Sequence, residues 1–424
     1  MLGGHTFASG PVRGETTVPG DKSISHRAII AASRMARRSI VIENCNPGRD
    51  VEATREALAT LGIRSTRAGD ELTIEPAPLR APSATLECMN SGSTARMLLG
   101  ACSGAAVAAR FDGDPSLRRR PMEPVAAQLR AFGARIETTA GNLPIALHGR
   151  SSVETRHFIL LAPSAQVKSA LLFAGLFSGV SIAIDGDRGS RDHTERLLRF
   201  LGADVRWDGR RVSFEPAPLR ADRVVIPGDF SAAAFFITAA AVTPGSALVV
   251  RGTGVNPTRT GLLDALTQMG AQIRVLNLRE AGGEPVADVA VEHAPLRGIS
   301  VGPDLSLRAI DEIPLLAVAA AFASGQTRFA GVAALRTKES DRIAGVARLL
   351  SAVGIETSEG PGQLAVTGGK PAGRGIPVET QGDHRIAMAA AVMACAAGPL
   401  VIDSDASIAV SFPGFAQALE KLRV

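Results

Sequence analysis

Several short stretches of this chain gather cations, hydroxyls and acids at spacings suited to binding anions and moving protons. Asp21-Lys22-Ser23-Ile24-Ser25-His26-Arg27 brings an ammonium, two hydroxyls and a guanidinium together, with Ser23 and Arg27 one helical turn apart. Such groups suit a polyanion when they sit at a helix start, where backbone N–H groups are free and the dipole is positive. Capping with solvated Lys and Arg is the competing account. Asn90-Ser91-Gly92-Ser93-Thr94-Ala95-Arg96 is a Gly- and hydroxyl-rich turn that lets backbone approach a carboxylate or phosphate, and equally reads as a common cap. Asp112 to Pro121 carries the run Arg118-Arg119-Arg120, either a solvated basic loop or a mobile one that closes arginine on an anion. Ser164-Ala165-Gln166-Val167-Lys168 opens an apolar helix with Lys168 a turn inside it, which leaves site membership and snorkelling both open. Asp311-Glu312-Ile313-Pro314 supplies acids that read as an N-cap or as a general base. Thr337-Lys338-Glu339-Ser340-Asp341-Arg342 places Lys338 and Arg342 at i, i+4 on one face, for surface pairing or for a site. Gly382-Asp383-His384-Arg385 adds another arginine at a helix start; His384 has no second His or Cys at a ligand spacing, which argues against metal.

These motifs sit on a repeating framework. An apolar residue, Gly, then Ala or Ile follows a helix-like run at Gly62, Gly133, Gly202, Gly270 and Gly354, at intervals of roughly seventy residues. Each reads as a helix, a left-handed Gly stop and a strand. Small-residue apolar helices open from Lys22, Ser93, Ser164, Asp229, Asp311 and Asp383 with a similar period, and helices apolar on every side must be buried. Six such units account for nearly all 424 residues. The unit is long enough for βαβαββ, so the predicted fold is α/β, with six subdomains grouped three and three around an interdomain cleft. The Pro-Gly-Asp turns at 19–21 and 227–229 are the expected crossings. They give one domain over 21–228 and a second from 1–20 plus 229–424, with a hinge near 19–21 and 226–229 able to close on a ligand.

Composition narrows the function classes. The net charge is only +5, aromatics are 4% with one Trp and no Tyr, so nucleic acid is not an expected partner. Cys45, Cys88, Cys102 and Cys395 form no CxxC or Cys/His pattern, which fits a reducing cytoplasm and neither disulfides nor zinc. The N-terminus shows no signal-peptide pattern, and the Ala-rich run from Ile386 to Ile402 reads as a buried helix, so no membrane partner is expected. Of 46 basic residues only Lys22, Lys168, Lys338, Lys370 and Lys421 are lysine, and three of these fall in the helix-start motifs. No nucleophile triad, phosphate-binding lysine loop or dinucleotide fingerprint is present. The residues thus point to an enzyme that holds one or two small polyanions and uses a few acids for proton transfer.

In this order, the Pro19 to Arg27 segment, the Asn90 to Arg96 turn, Arg119-Arg120-Pro121, Ser164-Ala165-Gln166, Lys338 to Arg342 and Asp383-His384-Arg385 resemble the 5-enolpyruvylshikimate-3-phosphate (EPSP) synthase family. The resemblance covers essentially the whole chain, and the Ser164 to Lys168 and Asp311 to Pro314 forms are similar to the bacterial class II branch. It implies two inside-out α/β barrel domains of three βαβαββ units each. It also implies transfer of the enolpyruvyl group of phosphoenolpyruvate to the 5-hydroxyl of shikimate 3-phosphate by addition and elimination. No metal or organic cofactor is implied, and the enzyme is expected to be a cytoplasmic monomer.

Carried over by position, the resemblance implies that Ser23, Arg27, Ser164 and Gln166 hold shikimate 3-phosphate or the partner beside it, and that Lys22 touches both substrates. Gly92, Arg120, Arg342 and Arg385 would grip phosphoenolpyruvate. Asp311 would take the 5-hydroxyl proton, and Glu339, helped by Lys338, would protonate the methylene carbon. Ala334 and Val410 stand where first-class members carry Asn and Lys ligands, and Arg191 would supply shikimate contacts instead. Gly92 leaves room that an inhibitor such as glyphosate would use. A UDP-N-acetylglucosamine enolpyruvyl transferase would have Lys-Asn at Lys22-Ser23 and a loop cysteine, which Asp112 to Pro121 lacks. A non-catalytic domain binding phosphorylated metabolites is disfavoured by the intact Asp311, Lys338 and Glu339.

Overall fold

Five of the six apolar helices begin at a side chain that accepts from their own first turn. In the computed structural model, which describes residues 5–35, 39–150, 152–373, 375 and 377–423, Asp21 caps Lys22–Ala32 through Ile24 N at 2.9 Å and Ser91 caps Gly92–Gly104 through Thr94 N at 3.2 Å. Ser164 caps Ala165–Ser178, Asp229 caps Phe230–Val242 and Asp383 caps His384–Ala397 in the same way. The sixth helix, Ile313–Ala321, starts after Glu312 with no side-chain cap. The recurring glycines also stop their helices as the pattern predicts. Gly62, Gly133, Gly202, Gly270 and Gly354 all take φ between 81° and 110°, a region that a Cβ disfavours.

The chain divides into two compact units, one of Gly20–Pro227 with Glu280–Glu284, the other of Met1–Pro19, Gly228–Arg279 and Pro285–Val424. The short 280–284 segment is an exchange that the two Pro-Gly-Asp turns did not announce. Its Glu284 Oε1 lies 2.8 Å from His193 Nδ1, with both side chains buried in the unit built on 20–227.

Each unit has three sheets among the described residues, and the four-stranded ones share one design. In the first unit, Leu86–Glu87 runs parallel to Ala109–Asp112, which pairs antiparallel with Asn142–Arg150, and Ala134–Thr139 closes the edge. A parallel pair needs a crossover, and Gly92–Gly104 provides it. The order recurs in His157–Ile159, Ile182–Asp185, Arg211–Glu215 and Asp204–Trp207. The second unit repeats it in Ser300–Val301, Gln326–Ala330, Gln363–Thr367 and Thr357–Gly360. At the crossings the first strand of a sheet comes from elsewhere in the chain. Arg223–Val225 lies parallel to Val41–Glu43, and Arg13–Thr17 parallel to Ala247–Arg251. His5–Phe7 completes a three-stranded sheet with Leu400–Ile402 and Pro377–Val378.

The apolar helices form the inside of each unit. Phe230–Val242 and Ile313–Ala321 are buried along their whole length, and both pack on His384–Ala397. In the other unit Gly92–Gly104 packs most closely on Ala165–Ser178. A Cβ on Gly100 would come within 2.2 Å of Ala170 O, and one on Gly104 within 2.3 Å of Ala174 O, so glycine lets the two backbones touch. This inward placement leaves the helix starts as the places where polar groups gather.

Candidate active site

In the unit built on 20–227, three helix starts carry the expected residues. Lys22 is the first residue of its helix, and its Nζ pairs with Asp50 Oδ2 at 2.8 Å. Arg27, one turn on from Ser23, is buried and spreads its fork over three elements. Nε donates to Thr194 Oγ1 at 2.7 Å, Nη1 to Ser23 O at 2.7 Å and Nη2 to Ser169 Oγ at 2.9 Å. Burial pulls its pKa down to about 10 against the charges of Glu195 and Asp21, so it stays a cation at neutral pH.

The second start is tied to the third. Gln166 Oε1 accepts from Arg96 Nη1 at 2.8 Å while its Nε2 donates to Ser93 Oγ at 3.0 Å. Arg96 Nη2 donates to Pro121 O at 2.9 Å, which connects this pair to the Arg120 loop. Arg120 donates to Asn90 Oδ1 and, at 3.4 Å, to Ser116 Oγ. Gly92 sits where a Cβ would meet Arg96 Nη1 at 2.5 Å. Ser164 is used as a helix cap, and Arg191 is half-buried beside the capping position of His193–Phe200. Behind these groups runs a buried polar chain. His26 Nδ1 meets Thr54 Oγ1 at 2.7 Å, Thr54 meets Thr94 at 2.7 Å, and Thr94 donates to the capping Ser91 Oγ at 2.7 Å. Burial, then Lys22 and Arg27, hold the His26 imidazole well below its usual pKa, so it stays neutral.

Lys168 belongs neither to the surface nor to these helix starts. Its ammonium is only 1% exposed and sits 2.6 Å from both Asp187 Oδ2 and Glu195 Oε1. Burial opposes its charge, but Glu195 and Asp187 hold its pKa above the usual lysine value. The residue is an internal cross-link between Ala165–Ser178, the 187–190 loop and His193–Phe200.

The other unit brings Asp311, Lys338, Glu339, Arg342 and Arg385 into one cluster. Asp311 Oδ1 lies 3.3 Å from Arg342 Nη1 and 3.5 Å from Lys338 Nζ, and its Oδ2 lies 3.8 Å from both Arg259 and Arg385. Three guanidiniums and an ammonium thus face one carboxylate. Arg342, 1% exposed, donates Nε to Asp383 Oδ2 at 2.9 Å and Nη2 to Glu339 Oε2 at 2.5 Å. Burial alone would lower its pKa, yet Asp383, Glu339 and Asp311 raise it. Asp383 is held low by Arg342 in spite of its burial. Arg385 Nη1 donates to Asp311 O at 2.9 Å and Nη2 to Ser231 Oγ at 2.9 Å.

Three members of this cluster carry no local sequence signal for a place in it. Arg259, buried just before Gly261–Met269, reaches Glu312 at 3.3 Å, Asp229 at 3.7 Å and Ser231 Oγ at 2.5 Å. Its only signal was another arginine near another helix start. Glu312 lies inside the Asp311 to Pro314 motif and Ser231 two residues after Asp229, and nothing local distinguishes either from a cap. Among the described residues, no group of three His, Cys, Asp or Glu is placed to hold a metal ion.

The cluster, then, sets the carboxylates of Asp311 and Glu339 among arginines and a lysine. Residues 7–419 match the family EPSP synthase (3-phosphoshikimate 1-carboxyvinyltransferase). A 3-phosphoshikimate 1-carboxyvinyltransferase of Desulforudis audaxviator is 46% identical, over 97% of this chain and 97% of that one. One from Anaeromyxobacter sp. strain Fw109-5 is 44% identical, over 97% and 96%. Among solved structures, EPSP synthase of Acinetobacter baumannii superposes with a TM-score of 0.86 at 37% identity, covering 99% of this chain and 98% of that one. An enolpyruvyl transferase of Streptomyces tendae, at 18% identity and TM-score 0.78, shares the fold. Family match, near-full-length relatives and fold agree: the chain belongs to the EPSP synthase family.

Proposed function

We propose that this chain transfers the enolpyruvyl group of phosphoenolpyruvate to the 5-hydroxyl of shikimate 3-phosphate, giving 5-enolpyruvylshikimate 3-phosphate and inorganic phosphate. The observation that carries the reading is Asp311 set among Lys338, Arg342, Arg259 and Arg385, with Glu339 bonded to the same Arg342. Asp311 takes the proton of the 5-hydroxyl as its oxygen attacks C2 of phosphoenolpyruvate, and Glu339, beside Lys338, protonates C3. The adduct then loses phosphate from C2 and a proton from the new methyl group, which restores the double bond. The two proton steps run in opposite directions at different atoms, so a separate acid and base are required.

In this reading Arg342 and Arg385, with Arg120 and the backbone at Gly92, hold phosphoenolpyruvate. Ser23, Arg27, Ser164, Gln166 and Arg191 serve shikimate 3-phosphate, and Lys22 serves both. A reducing compartment such as the cytoplasm is the reading supported by four buried free cysteines among the described residues. Phosphate release tests the activity: it is expected with both substrates and absent when either is omitted. No release with both would refute it.

A further inference from the structure

Glu312 departs from the pattern of its neighbours. It stands at the start of a buried helix, where the five equivalent positions use their side chains as caps, yet its carboxylate caps nothing. It is fully buried, and its Oε1 accepts from the Ser231 hydroxyl and lies 3.3 Å from Nη1 of both Arg259 and Arg385. The same two arginines reach Asp311 Oδ2 only at 3.8 Å. Ser231 Oγ accepts from Nη2 of both, at 2.5 Å from Arg259 and 2.9 Å from Arg385, so one hydroxyl sets the spacing of the two guanidiniums.

We propose that Glu312 is a positioning residue that holds Arg259 and Arg385 on itself and so keeps both from closing on Asp311. The inference rests on the reading of Asp311 as the base. A carboxylate locked in contact with two guanidiniums holds its charge more tightly and is a weaker proton acceptor. Arg385, drawn onto Asp311, would also leave the pose in which it meets an anion. The remaining charges around Asp311 are Lys338 at 3.5 Å and Arg342 at 3.3 Å. Asp229 faces Arg259 at 3.7 Å, while Glu339 and Asp383 are engaged by Arg342. Glu312 is the acid that Arg259 and Arg385 share besides Asp311 itself.

The test is the pH dependence of kcat for the wild type, Glu312→Gln, Arg259→Gln and the double variant, with Asp311→Asn alongside. Glu312→Gln removes a negative charge and frees both arginines to move, so kcat falls about tenfold or more and its acid limb moves down by roughly one pH unit. Arg259→Gln removes a cation from Asp311, so its acid limb moves up. The double variant lies nearer the wild type than either single variant. A residue that only supports the fold would lower the melting temperature without moving the two limbs in opposite directions. If Glu312→Gln does not fold, Glu312→Asp, which draws the carboxylate back from both arginines, takes its place in the comparison. Folded variants whose limbs do not move, or move together, overturn the inference when Asp311→Asn is inactive. Full activity in Asp311→Asn overturns both the inference and the base assignment beneath it.

Discussion

Replacing Lys168 by Met would separate a structural lysine from a substrate-binding one. The substitution keeps most of the aliphatic stem and removes the ammonium that stands 2.6 Å from both Asp187 and Glu195, each carboxylate no more than 3% exposed. Removing one partner of a buried ion pair costs about 3–5 kcal/mol, because the charge left behind is neither hydrated nor paired. For a domain of roughly 200 residues that corresponds to a fall in melting temperature on the order of 10 °C.

The loss should also depend on pH. Burial already raises the Glu195 carboxyl above its usual value of 4.5, with Lys168 pulling it back. Without that pull the folded-state value rises further, so the folded variant holds a proton that the unfolded chain releases. Its stability therefore falls as pH climbs from about 4.5 through the folded value, and the gap to wild type is wider at pH 8 than at pH 5. In the wild type, Lys168 is raised instead, so its contribution persists below its ordinary value of 10.5 and is lost only at higher alkaline pH. Calorimetry at the two pH values, with phosphate release measured well below the transition, is the assay. A transition within about 2 °C of wild type, combined with lost turnover, would refute the cross-link and return Lys168 to the substrate site.

Other substitutions probe the elements that carry the site. Gly100→Val would drive a side chain into Ala170 O, 2.2 Å from the added Cβ, and should cost about 1–3 kcal/mol or more in denaturant unfolding; an unchanged midpoint would refute the close helix contact. Arg27→Lys cannot donate to Thr194, Ser169 and Ser23 O together, and should cost about 1–3 kcal/mol in the same measurement, whereas full retention would deny the fork its structural role. His26 is neutral when folded but protonates near 6.5 when unfolded, so its share of stability is present above that pH and lost as pH falls towards the depressed folded value. The fall in melting temperature between pH 7.5 and 5.5 should shrink in His26→Gln, and an imidazole resonance titrating near 6.5 in the wild type would contradict a buried neutral ring.

What could be read in advance follows the range of the forces involved. Helix starts and Gly stops are written locally, in an Asp or Ser two or three residues before its N–H partner and in a backbone that turns left-handed. Hence the six apolar helices, their period and the residues that open them were legible. Asp311, Glu339, Arg342 and Arg385 were placed correctly at helix starts, but their mutual spacing is a tertiary fact. Lys168 shows the limit most clearly. Its two acids lie on other elements, and a lysine in an apolar helix looks alike whether it meets a ligand, reaches solvent or is neutralised inside. Of the three helix-start lysines, Lys338 lies in the Asp311 cluster and Lys22 beside Asp50 at its helix start, whereas Lys168 is neutralised inside. Arg259 and the 280–284 exchange were missed for a similar reason: one is an ordinary arginine among 46 basic residues, the other a hairpin end whose buried partner His193 lies far away in sequence.

The most direct test follows the proton that the proposed addition places on the methylene carbon. With phosphoenolpyruvate and shikimate 3-phosphate in deuterated water, addition turns the methylene carbon into a methyl group and elimination removes one of its hydrogens. Mass spectrometry should find deuterium in the enolpyruvyl group of the product, together with one inorganic phosphate per product. Product formed without deuterium would contradict addition and elimination through a protonated carbon, and the absence of any product would contradict the assigned activity.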